Sequence, residues 1–163
     1  MGRLTLIAAV GKNGELGNNN ELIWQIPEDM QFFKEKTMNK HIIMGMNTFK
    51  SLPKLLPNRK HIVLTHQNVD LNPNVTVFYS LEDLLNYVKN LDEEIVVIGG
   101  GQIYSLLINY ASKKLLTEID DKKEADVFFP EFDKQLWRKQ VLSEHSYMGI
   151  NYKHVVYTKN NSL

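Results

Sequence analysis

Short apolar runs that alternate with helical stretches constrain the fold of this chain more than any other feature. Runs of this length, rich in valine, isoleucine and leucine, are typical of strands that are buried on both faces of a sheet. Strands that alternate with helices predict an α/β fold with a largely parallel sheet, covered on both faces. We predict six such strands, at residues 4–10, 41–44, 61–65, 75–79, 94–98 and 115–119.

Helical stretches lie between most of these strands. Ser80 is suited to cap one of them, and Asp83 follows three residues later, which is close to a capping box. We predict helices at residues 27–36, from 47–52 onward, at 81–90 and at 102–110.

Two segments depart from this alternation. Residues 135–144 and 152–159 read as two long strands joined through 146–149, which predicts an antiparallel hairpin at a sheet edge. Residues 11–21 are polar and rich in glycine and asparagine, and follow the first strand. Such a segment is either a plain surface loop or a mobile lid, and the sequence leaves both open.

Composition excludes several function classes. The chain has 163 residues, enough for one domain with its own core, and its 19 basic and 19 acidic residues give a formal net charge of zero. A neutral balance argues against nucleic acid as the main partner. No cysteine is present, which removes disulfides and thiolate metal sites and fits a reducing cytosol. The five histidines lack metal-ligand spacing, so we predict no metal site.

The first apolar run, at residues 4–10, is too short to cross a bilayer, which needs about 20 residues. Neither a basic region nor a cleavage site accompanies it. We therefore expect a strand there, and neither a signal peptide nor a membrane anchor.

One carboxylate stands on the apolar side of a predicted helix. Pro27 suits the first helical turn, where its missing N–H costs nothing. Asp29 then shares a face with Phe32 and Phe33, whereas Glu28 lies on the wetter side. A carboxylate against aromatic rings is unfavourable unless it has a partner or binds a proton. Asp29 is therefore either a functional acid or an acid that interacts with the helix dipole.

Two strand-to-helix junctions carry residues suited to an anionic ligand. At residues 99–101 three glycines precede a helix, so that backbone N–H groups can approach a ligand closely. The pattern is neither GxGxxG nor a Walker A motif, and such a turn can need glycine for steric reasons alone. At the other junction, after Gly45, Asn47 or Thr48 can cap the helix or line a phosphate site. Two such junctions favour a dinucleotide across the strand ends.

Arg59 follows a proline and an asparagine, just before a buried strand. A guanidinium held there can bind a carboxylate through two parallel hydrogen bonds. A solvated surface arginine is the alternative.

Six segments together resemble dihydrofolate reductase, in order and over essentially the whole chain. Each segment alone is a weak signal, whereas six in register at fitting intervals are highly specific. The segments are residues 22–29, 44–49, 56–59, 98–104, 116–117 and 128–130.

The resemblance implies a fold and an activity. The implied fold is α/β and dihydrofolate reductase-like: a mainly parallel, eight-stranded twisted sheet flanked by four helices, with an antiparallel C-terminal hairpin. It implies a single domain over residues 1–163, in which residues 40–110 form an adenosine-binding subdomain. The implied activity is the NADPH-dependent reduction of 7,8-dihydrofolate to 5,6,7,8-tetrahydrofolate. This oxidoreductase step supplies one-carbon metabolism for thymidylate and purine synthesis.

The resemblance also implies catalytic roles. Asp29 corresponds to the only ionisable group in the pterin pocket, which binds the ring and favours protonation at N5 through water. Thr117 corresponds to the threonine that supports this acid, and Trp24 to a tryptophan that orders a water near it. Tyr104 completes the implied catalytic set.

Most implied substrate contacts are apolar. Ile7 and Ile98 correspond to residues whose carbonyls face the pterin edge, and Phe33 to a ring that packs on it. Arg59 corresponds to the arginine that holds the α-carboxylate of the glutamate tail. The full substrate set is Ile7, Asp29, Phe33, Leu52, Lys54, Leu56, Arg59, Ile98 and Thr117.

The implied cofactor contacts lie at the strand ends and in segment 11–22, which corresponds to a mobile loop over the nicotinamide. Met46 stands where the family usually has an arginine that meets the 2′-phosphate of NADPH, and His66, Gln67 or Lys60 are candidates to replace it. The cofactor set is Ala9, Leu16, Gly17, Asn20, Gly45, Met46, Asn47, Thr48, Leu64, Thr65, His66, Gly99, Gly100, Gly101, Gln102, Ile103 and Tyr104.

The implied partners are small molecules: dihydrofolate, and diaminopyrimidine or pteridine antifolates as inhibitors. The resemblance implies a cytoplasmic monomer that binds neither nucleic acid nor membrane. One rival is a reductase of related fold that acts on a different pterin or pyrimidine, against which Asp29 and Arg59 argue. The other is a catalytically idle nucleotide-binding module, which the same acid and the glycine turn disfavour.

Overall fold

Strands and helices alternate along the computed structural model, which describes residues 4–18 and 21–160. The strands of this part are β1 (Leu4–Val10), β2 (Glu15–Asn18), β3 (Glu21–Leu22), β4 (His41–Gly45), β5 (Lys60–Leu64), β6 (Val75–Phe78), β7 (Ile95–Gly99), β8 (Lys113–Ile119), β9 (Val127–Phe128), β10 (Trp137–Tyr147) and β11 (Ile150–Lys159). The α-helices are α1 (Pro27–Thr37), α2 (Met46–Ser51), α3 (Leu81–Lys89) and α4 (Gly101–Leu107). Short 3₁₀ turns occupy Ile108–Tyr110 and Lys134–Leu136.

Eight of these strands form one sheet in the order β10-β11-β8-β1-β7-β4-β5-β6. The six strands from β8 to β6 pair in parallel, and β11 and β10 add two antiparallel strands beside β8. The predicted parallel sheet with four helices and an antiparallel C-terminal hairpin is therefore confirmed. In the described part of the chain, no helix has the length and apolar character needed to cross a membrane.

The sheet separates two apolar clusters, because side chains alternate between its faces along each strand. On β1, Leu6 belongs to one cluster and Ile7 to the other, and on β4 the neighbours Ile43 and Ile42 divide in the same way. Residues of α3 and α4 join the first cluster, and residues of α1 and α2 join the second. Helices therefore cover both faces, as the apolar runs predict.

The helix starts differ in how their first N–H groups are bound. Ser80 caps α3, since its Oγ accepts a hydrogen bond from Asp83 N at 3.1 Å, as predicted. The prediction that Asn47 or Thr48 caps α2 is wrong, because the N-cap is Gly45 and makes no side-chain bond. β4 runs into α2 without a connecting residue, so both side chains lie inside the first helical turn.

The connection of the C-terminal hairpin is shorter than predicted. Ser146 and Tyr147 continue β10, and only Met148 and Gly149 turn the chain. Both have positive φ angles, 49° and 80°. A two-residue turn with two positive φ angles matches the twist of the flanking strands. Because the turn uses only two residues, residues 146–147 remain in β10 and can pair with β11.

The described residues of segment 11–21, which are 11–18 and 21, do not form the plain loop that is one of the two sequence-based alternatives. β2 pairs antiparallel with β3 and with β9 in a separate small sheet. Glu15 anchors this sheet, because its buried carboxylate accepts the backbone N–H groups of Asn13 and Lys123 at 2.7 and 2.9 Å. Burial opposes ionisation of Glu15, but the backbone hydrogen bonds outweigh it and hold its pKa below the ordinary value.

Lys114 is fully buried on β8 among aromatic rings. Its Nζ lies 2.8, 3.8 and 5.1 Å from the ring centroids of Phe132, Trp137 and Tyr157. Within the described chain, Nζ has no hydrogen-bond partner. Burial, with smaller contributions from the charges of nearby lysines, lowers the pKa of Lys114 to about 7.

The low pKa of Lys114 predicts a pH-dependent stability. From about pH 7 to pH 10 the unfolded chain binds a proton at Lys114 that the folded chain lacks, so the free energy of unfolding rises with pH. The rise is up to about 1.4 kcal/mol per pH unit. In urea unfolding, we expect the free energy of unfolding to rise less steeply with pH in Lys114→Met than in the wild type. The exposed-site control Lys89→Met should keep the wild-type slope of this free energy against pH. A gap between wild type and Lys114→Met that stays constant from pH 7 to 10 would contradict the prediction.

Candidate active site

Asp29, in the first turn of α1, is bonded to the sheet. Its Oδ1 accepts the hydroxyl of Thr117 at 2.5 Å and lies 3.0 Å from Nε2 of His154. The Asp29 side chain is 20% exposed, compared with 61% for Glu28. The predicted placement of Asp29 on the drier face of the helix is therefore confirmed, with two polar partners that stabilise the carboxyl group in that setting.

Strand register brings these two partners together. Thr117 of β8 and His154 of β11 are directly opposite each other in the antiparallel pair, so their side chains are neighbours on one face. Asp29 of α1 lies over this pair. The acid is thus positioned by three elements that are far apart in the sequence.

An apolar cluster adjoins the acid on the same face of the sheet. It gathers five of the predicted substrate residues, whereas Lys54 is exposed beyond α2. The five are Ile7, Phe33, Leu52, Leu56 and Ile98. A flat apolar ring beside one carboxyl group is the kind of ligand that such a surface can bind.

Tyr104 fixes the backbone at Ile7. Its hydroxyl donates to the carbonyl oxygen of Ile7 at 2.6 Å, with both groups buried. Burial raises the pKa of Tyr104, so the phenol stays neutral and acts as a donor. The bond ties α4 to β1 at the point where the predicted pterin and nicotinamide positions meet.

Arg59 lies beside the C-terminal end of α1. Its guanidinium donates to Thr37 Oγ1 at 3.0 Å, to the Pro57 carbonyl at 2.9 Å and to the Lys34 carbonyl at 3.3 Å. It borders a cavity of about 440 Å³ that Phe33 and Leu56 also line. The guanidinium is held in place next to a partly apolar space, which is the setting that binding of a carboxylate requires.

The glycine turn and the start of α2 lie side by side at the carboxyl edge of the sheet. Gly99 has a φ of +129°, which L side chains rarely adopt. A Cβ on Gly99 or Gly100 would come within 3.5 Å of Thr48 Oγ1, so the hydroxyl lies against the turn. Bare backbone next to a hydroxyl leaves a cradle that fits a pyrophosphate. The described residues contain no group of acidic or histidine side chains that could hold a metal ion.

Trp24 is buried and its indole N–H donates to Asp121 Oδ2 at 3.0 Å. The ring packs on Gly11, where an added Cβ would lie 2.4 Å from it. Trp24 thereby connects the segment after β3 to the segment after β8. The structure gives its N–H a carboxylate partner other than Asp29, and a water near Asp29 stays a prediction.

The remaining predicted cofactor residues belong to several elements of both sheets and to α4. Ala9 belongs to β1, Leu16 and Gly17 to β2, and Leu64 ends β5 with Thr65 and His66 directly after it. Gly101, Gln102 and Ile103 open α4 beside Gly45, whose added Cβ would lie 2.9 Å from Ile103. Asn20 falls outside the described residues.

Comparison with known proteins decides the family. The family model for dihydrofolate reductase matches residues 3–159. The chain belongs to the dihydrofolate reductase family. It is an NADPH-dependent oxidoreductase that reduces 7,8-dihydrofolate to 5,6,7,8-tetrahydrofolate.

Individual relatives cover almost the full chain. The chain is 39% identical over 163 residues to a dihydrofolate reductase of Bacillus subtilis (strain 168), with 98% of this chain and 96% of the relative covered. It is 35% identical over 158 residues to dihydrofolate reductase type 15 of Escherichia coli, with 96% and 99% covered. A solved structure of dihydrofolate reductase from Enterococcus faecalis, complexed with NADP(H) and RAB-propyl, superposes with a TM-score of 0.87 at 32% identity and covers 98% of each chain.

Sheet register separates the candidates that could replace the arginine absent at Met46. Met46 itself is buried, directly after Gly45. Gly45 pairs with Leu64, so His66, two residues further on, lies at the same edge of the sheet. Lys60 pairs with His41 at the other end of these strands, about 13 Å away at 3.3 Å per residue. His66 and Gln67, which both follow the end of β5, therefore remain candidates for the 2′-phosphate, and Lys60 does not.

Sequence reasoning missed His154, which contacts the acid, and Ser143 and His145, which lie behind it. It considered the histidines only as metal ligands. A signal was present, because residues 143 and 145, like 152 and 154, are two apart on strands and so share a face. Placing the end of the strand at residue 144 put His145 in the turn and hid this pattern.

One large groove of the described structure is separate from this site. A groove of about 1400 Å³ borders Glu118, Lys139 and Tyr157, and none of its lining residues belongs to the predicted substrate or cofactor sets. The size of a cavity alone would thus not locate the candidate active site, which is defined by Asp29, Arg59 and the glycine turn.

The register of β5 predicts different effects for His66, which follows the end of this strand, and Lys60, which begins it. We expect His66→Ala to lower the ratio of kcat/KM for NADPH over NADH about fivefold, because a charge-assisted hydrogen bond to phosphate contributes about 1 kcal/mol or more. Lys60→Ala is the matched control and should leave the ratio within about twofold of wild type. A loss of selectivity in Lys60→Ala, with none in His66→Ala, would contradict the assignment.

Proposed function

We propose that this chain reduces dihydrofolate by using Asp29 as the acid of the pterin site, with Thr117 as its support. The observation that carries the proposal is the position of Asp29: Thr117 and His154 hold one carboxyl oxygen, and the apolar cluster adjoins it. An acid in such a place can bind the polar edge of a flat ring and favour a proton on that ring.

The chain's own groups then orient the substrate and exclude water. Bound NADPH supplies the hydride. Ile7 and Ile98 line the pterin with backbone carbonyls, and Phe33 packs on the ring. Tyr104 keeps the Ile7 carbonyl in place through its hydroxyl. Trp24 contributes by holding the segments around the nicotinamide together.

The glutamate tail extends along α1. Arg59, held by Thr37 and the Lys34 carbonyl, binds the α-carboxylate of the tail. Leu52 and Leu56 pack on the benzoyl group, and Lys54 is an exposed residue near the tail. Support comes from the cavity of about 440 Å³ that Arg59 and Leu56 share.

The cofactor lies across the carboxyl edge of the sheet. Residues 40–110, which contain β4 to β7 and the starts of α2 and α4, hold its adenosine half. Thr48 and the Gly99–Gly101 turn bind the pyrophosphate, and His66 meets the 2′-phosphate. Ala9, Leu16, Gly17 and Asn20 belong to the nicotinamide side. The contact between Thr48 and the glycine turn supports this arrangement.

Partners and location complete the proposal. Diaminopyrimidine and pteridine antifolates bind in the pterin site, and the chain acts as a monomer. The cytoplasm is the proposed compartment, since a chain without cysteine needs no oxidising environment to fold.

Replacement of Asp29 tests the proposed acid. We expect Asp29→Asn to lower the rate of dihydrofolate reduction at pH 7 by at least about a hundredfold, since a positioned acid contributes factors of that order. The loss should shrink at lower pH, where solvent protonates the substrate directly. NADPH affinity should stay unchanged, and Glu35→Gln on the solvent side of α1 should react like wild type. Near-wild-type turnover of Asp29→Asn at pH 7 to 8 would overturn the proposal.

Inhibitor binding gives an independent measurement. A 2,4-diaminopyrimidine that carries a proton should form a charge-assisted pair with Asp29 worth roughly 1.5–3 kcal/mol. Calorimetry should therefore show about a tenfold to hundredfold weaker binding to Asp29→Asn. Equal affinity for both proteins would mean that the inhibitor does not use this carboxyl group.

A further inference from the structure

His61, on β5, is a buried polar side chain that the site described above does not use. It is 2% exposed. It pairs with Ile42 of β4 and Val75 of β6, and both of these residues belong to the apolar cluster that contains the predicted substrate residues. Paired residues share a face of the sheet, so the imidazole lies on the substrate side. A polar ring in such a place needs hydrogen-bond partners to offset its desolvation.

Both ring nitrogens of His61 bond to the segment that precedes β5. Leu56 N lies 3.0 Å from His61 Nε2, and the Arg59 carbonyl oxygen lies 3.2 Å from Nδ1. Leu56 begins segment 56–59 and Arg59 ends it, with a turn at Pro57 and Asn58 between them. The imidazole therefore bridges the two ends of this turn.

The partners of His61 assign its tautomer. A backbone N–H can only donate, so Nε2 accepts the hydrogen bond from Leu56 and carries no proton. The proton of the neutral ring is then on Nδ1, which donates to the Arg59 carbonyl. Burial is the largest cause that lowers the pKa of His61, in agreement with a neutral ring. One tautomer of the neutral imidazole thus satisfies both bonds.

The same segment orients the guanidinium of Arg59. Two of its acceptors, Thr37 Oγ1 and the Lys34 carbonyl, belong to α1, and the third, the Pro57 carbonyl at 2.9 Å, belongs to segment 56–59. These bonds use one N–H on each of Nε, Nη1 and Nη2, out of five in a guanidinium. In the described chain, one N–H on Nη1 and one on Nη2 are left, which match the two oxygens of a carboxylate.

Segment 56–59 is also one wall of the cavity of about 440 Å³ beside Arg59. All four of its residues border this cavity, and residues of α1, among them Phe33 and Lys34, border it from the other side. His61 itself is not among the lining residues. It therefore acts on this space only through the segment that it bonds at both ends.

We propose that His61 is a positioning residue for the carboxylate tail of the substrate: it fixes segment 56–59 and thereby aims the free N–H groups of Arg59. This inference rests on the proposed function of Arg59. It makes His61 a determinant of selectivity for substrates that carry the tail, and not of the reaction at the pterin ring.

Two substrates separate tail binding from ring chemistry. 7,8-Dihydrofolate carries the glutamate tail, whereas 6-methyl-7,8-dihydropterin carries only the ring. His61→Leu removes both hydrogen bonds and keeps an apolar side chain. We expect it to lower kcat/KM for dihydrofolate about tenfold, mainly through KM, and to leave kcat/KM for the dihydropterin within about twofold of wild type. An equal loss for both substrates would indicate a merely structural role and would overturn the proposal.

The ratio of the two kcat/KM values remains informative if part of the variant is unfolded, because an unfolded fraction lowers both values equally. His61→Gln keeps an acceptor for Leu56 N–H and should regain part of the ratio that His61→Leu loses. The matched control is His41→Leu, because His41 is also a buried histidine but its ring lies near Tyr87 of α3. A ratio in His61→Gln no higher than in His61→Leu, or the same loss in His41→Leu, would contradict the proposal.

A double-mutant cycle separates this inference from the proposed role of Arg59. Arg59→Met should lower the ratio at least about tenfold, because it removes a charged donor. In that background, His61→Leu should change the ratio by less than about twofold, since His61 acts through Arg59. If Arg59→Met lowers the ratio and His61→Leu does not, the positioning role is refuted and the role of Arg59 stands. If Arg59→Met keeps the wild-type ratio, the proposed function of Arg59 itself fails.

Inhibitor binding provides a readout that does not depend on turnover. Calorimetry should show that His61→Leu binds a pteridine antifolate with a glutamate tail about tenfold more weakly than wild type does. A 2,4-diaminopyrimidine without a tail should bind both proteins within about twofold of each other. Equal weakening of both inhibitors, or of neither, would count against a role for His61 in positioning the tail.

Discussion

The bond between Asp29 and the sheet fixes the rest of the site. Thr117 and His154 hold the first turn of α1 over β8 and β11, and Arg59 holds the other end of the helix through Thr37. Eight residues separate Asp29 from Thr37, which corresponds to about 12 Å along a helix. A ligand that reaches both the acid and the arginine must therefore be extended, with an apolar middle that packs on Phe33.

The parallel sheet brings segments that are far apart in the sequence together at one of its edges. Gly45, Leu64 and Gly99 are brought side by side because β4 pairs in parallel with both β5 and β7. Each strand then continues into a helix or a turn that exposes backbone or hydroxyl groups to the same space. The direction of the strands also excludes Lys60 from that space, although it lies only a few residues before His66 in the sequence.

Much of this arrangement could be predicted from the sequence, because it follows from local pattern. Apolar runs predicted the buried strands, and Ser80 predicted the start of α3. The helical period predicted that Asp29 shares a face with Phe32 and Phe33. What escaped prediction depends on pairing between distant segments. The contact of Asp29 with His154 on β11 follows from register, and the strand β2 within residues 11–21 is formed by pairing with β9. No local pattern in a polar, glycine-rich segment reports such a partner.

Two environments meet at Asp29, and their division explains how a carboxyl group can lie beside an apolar cluster. The apolar side chains of β1, β7 and α1 lie on one side, and the polar side chains of His154, Ser143 and His145 lie on the other. In the described chain both protein contacts of the carboxyl group are made by Oδ1, so Oδ2 is the atom left for the donors of a ligand. The hydrogen bonds from the sheet thus offset the cost of desolvating the Asp29 carboxyl group. The side of this group that faces the apolar cluster remains dry enough to select a flat ring.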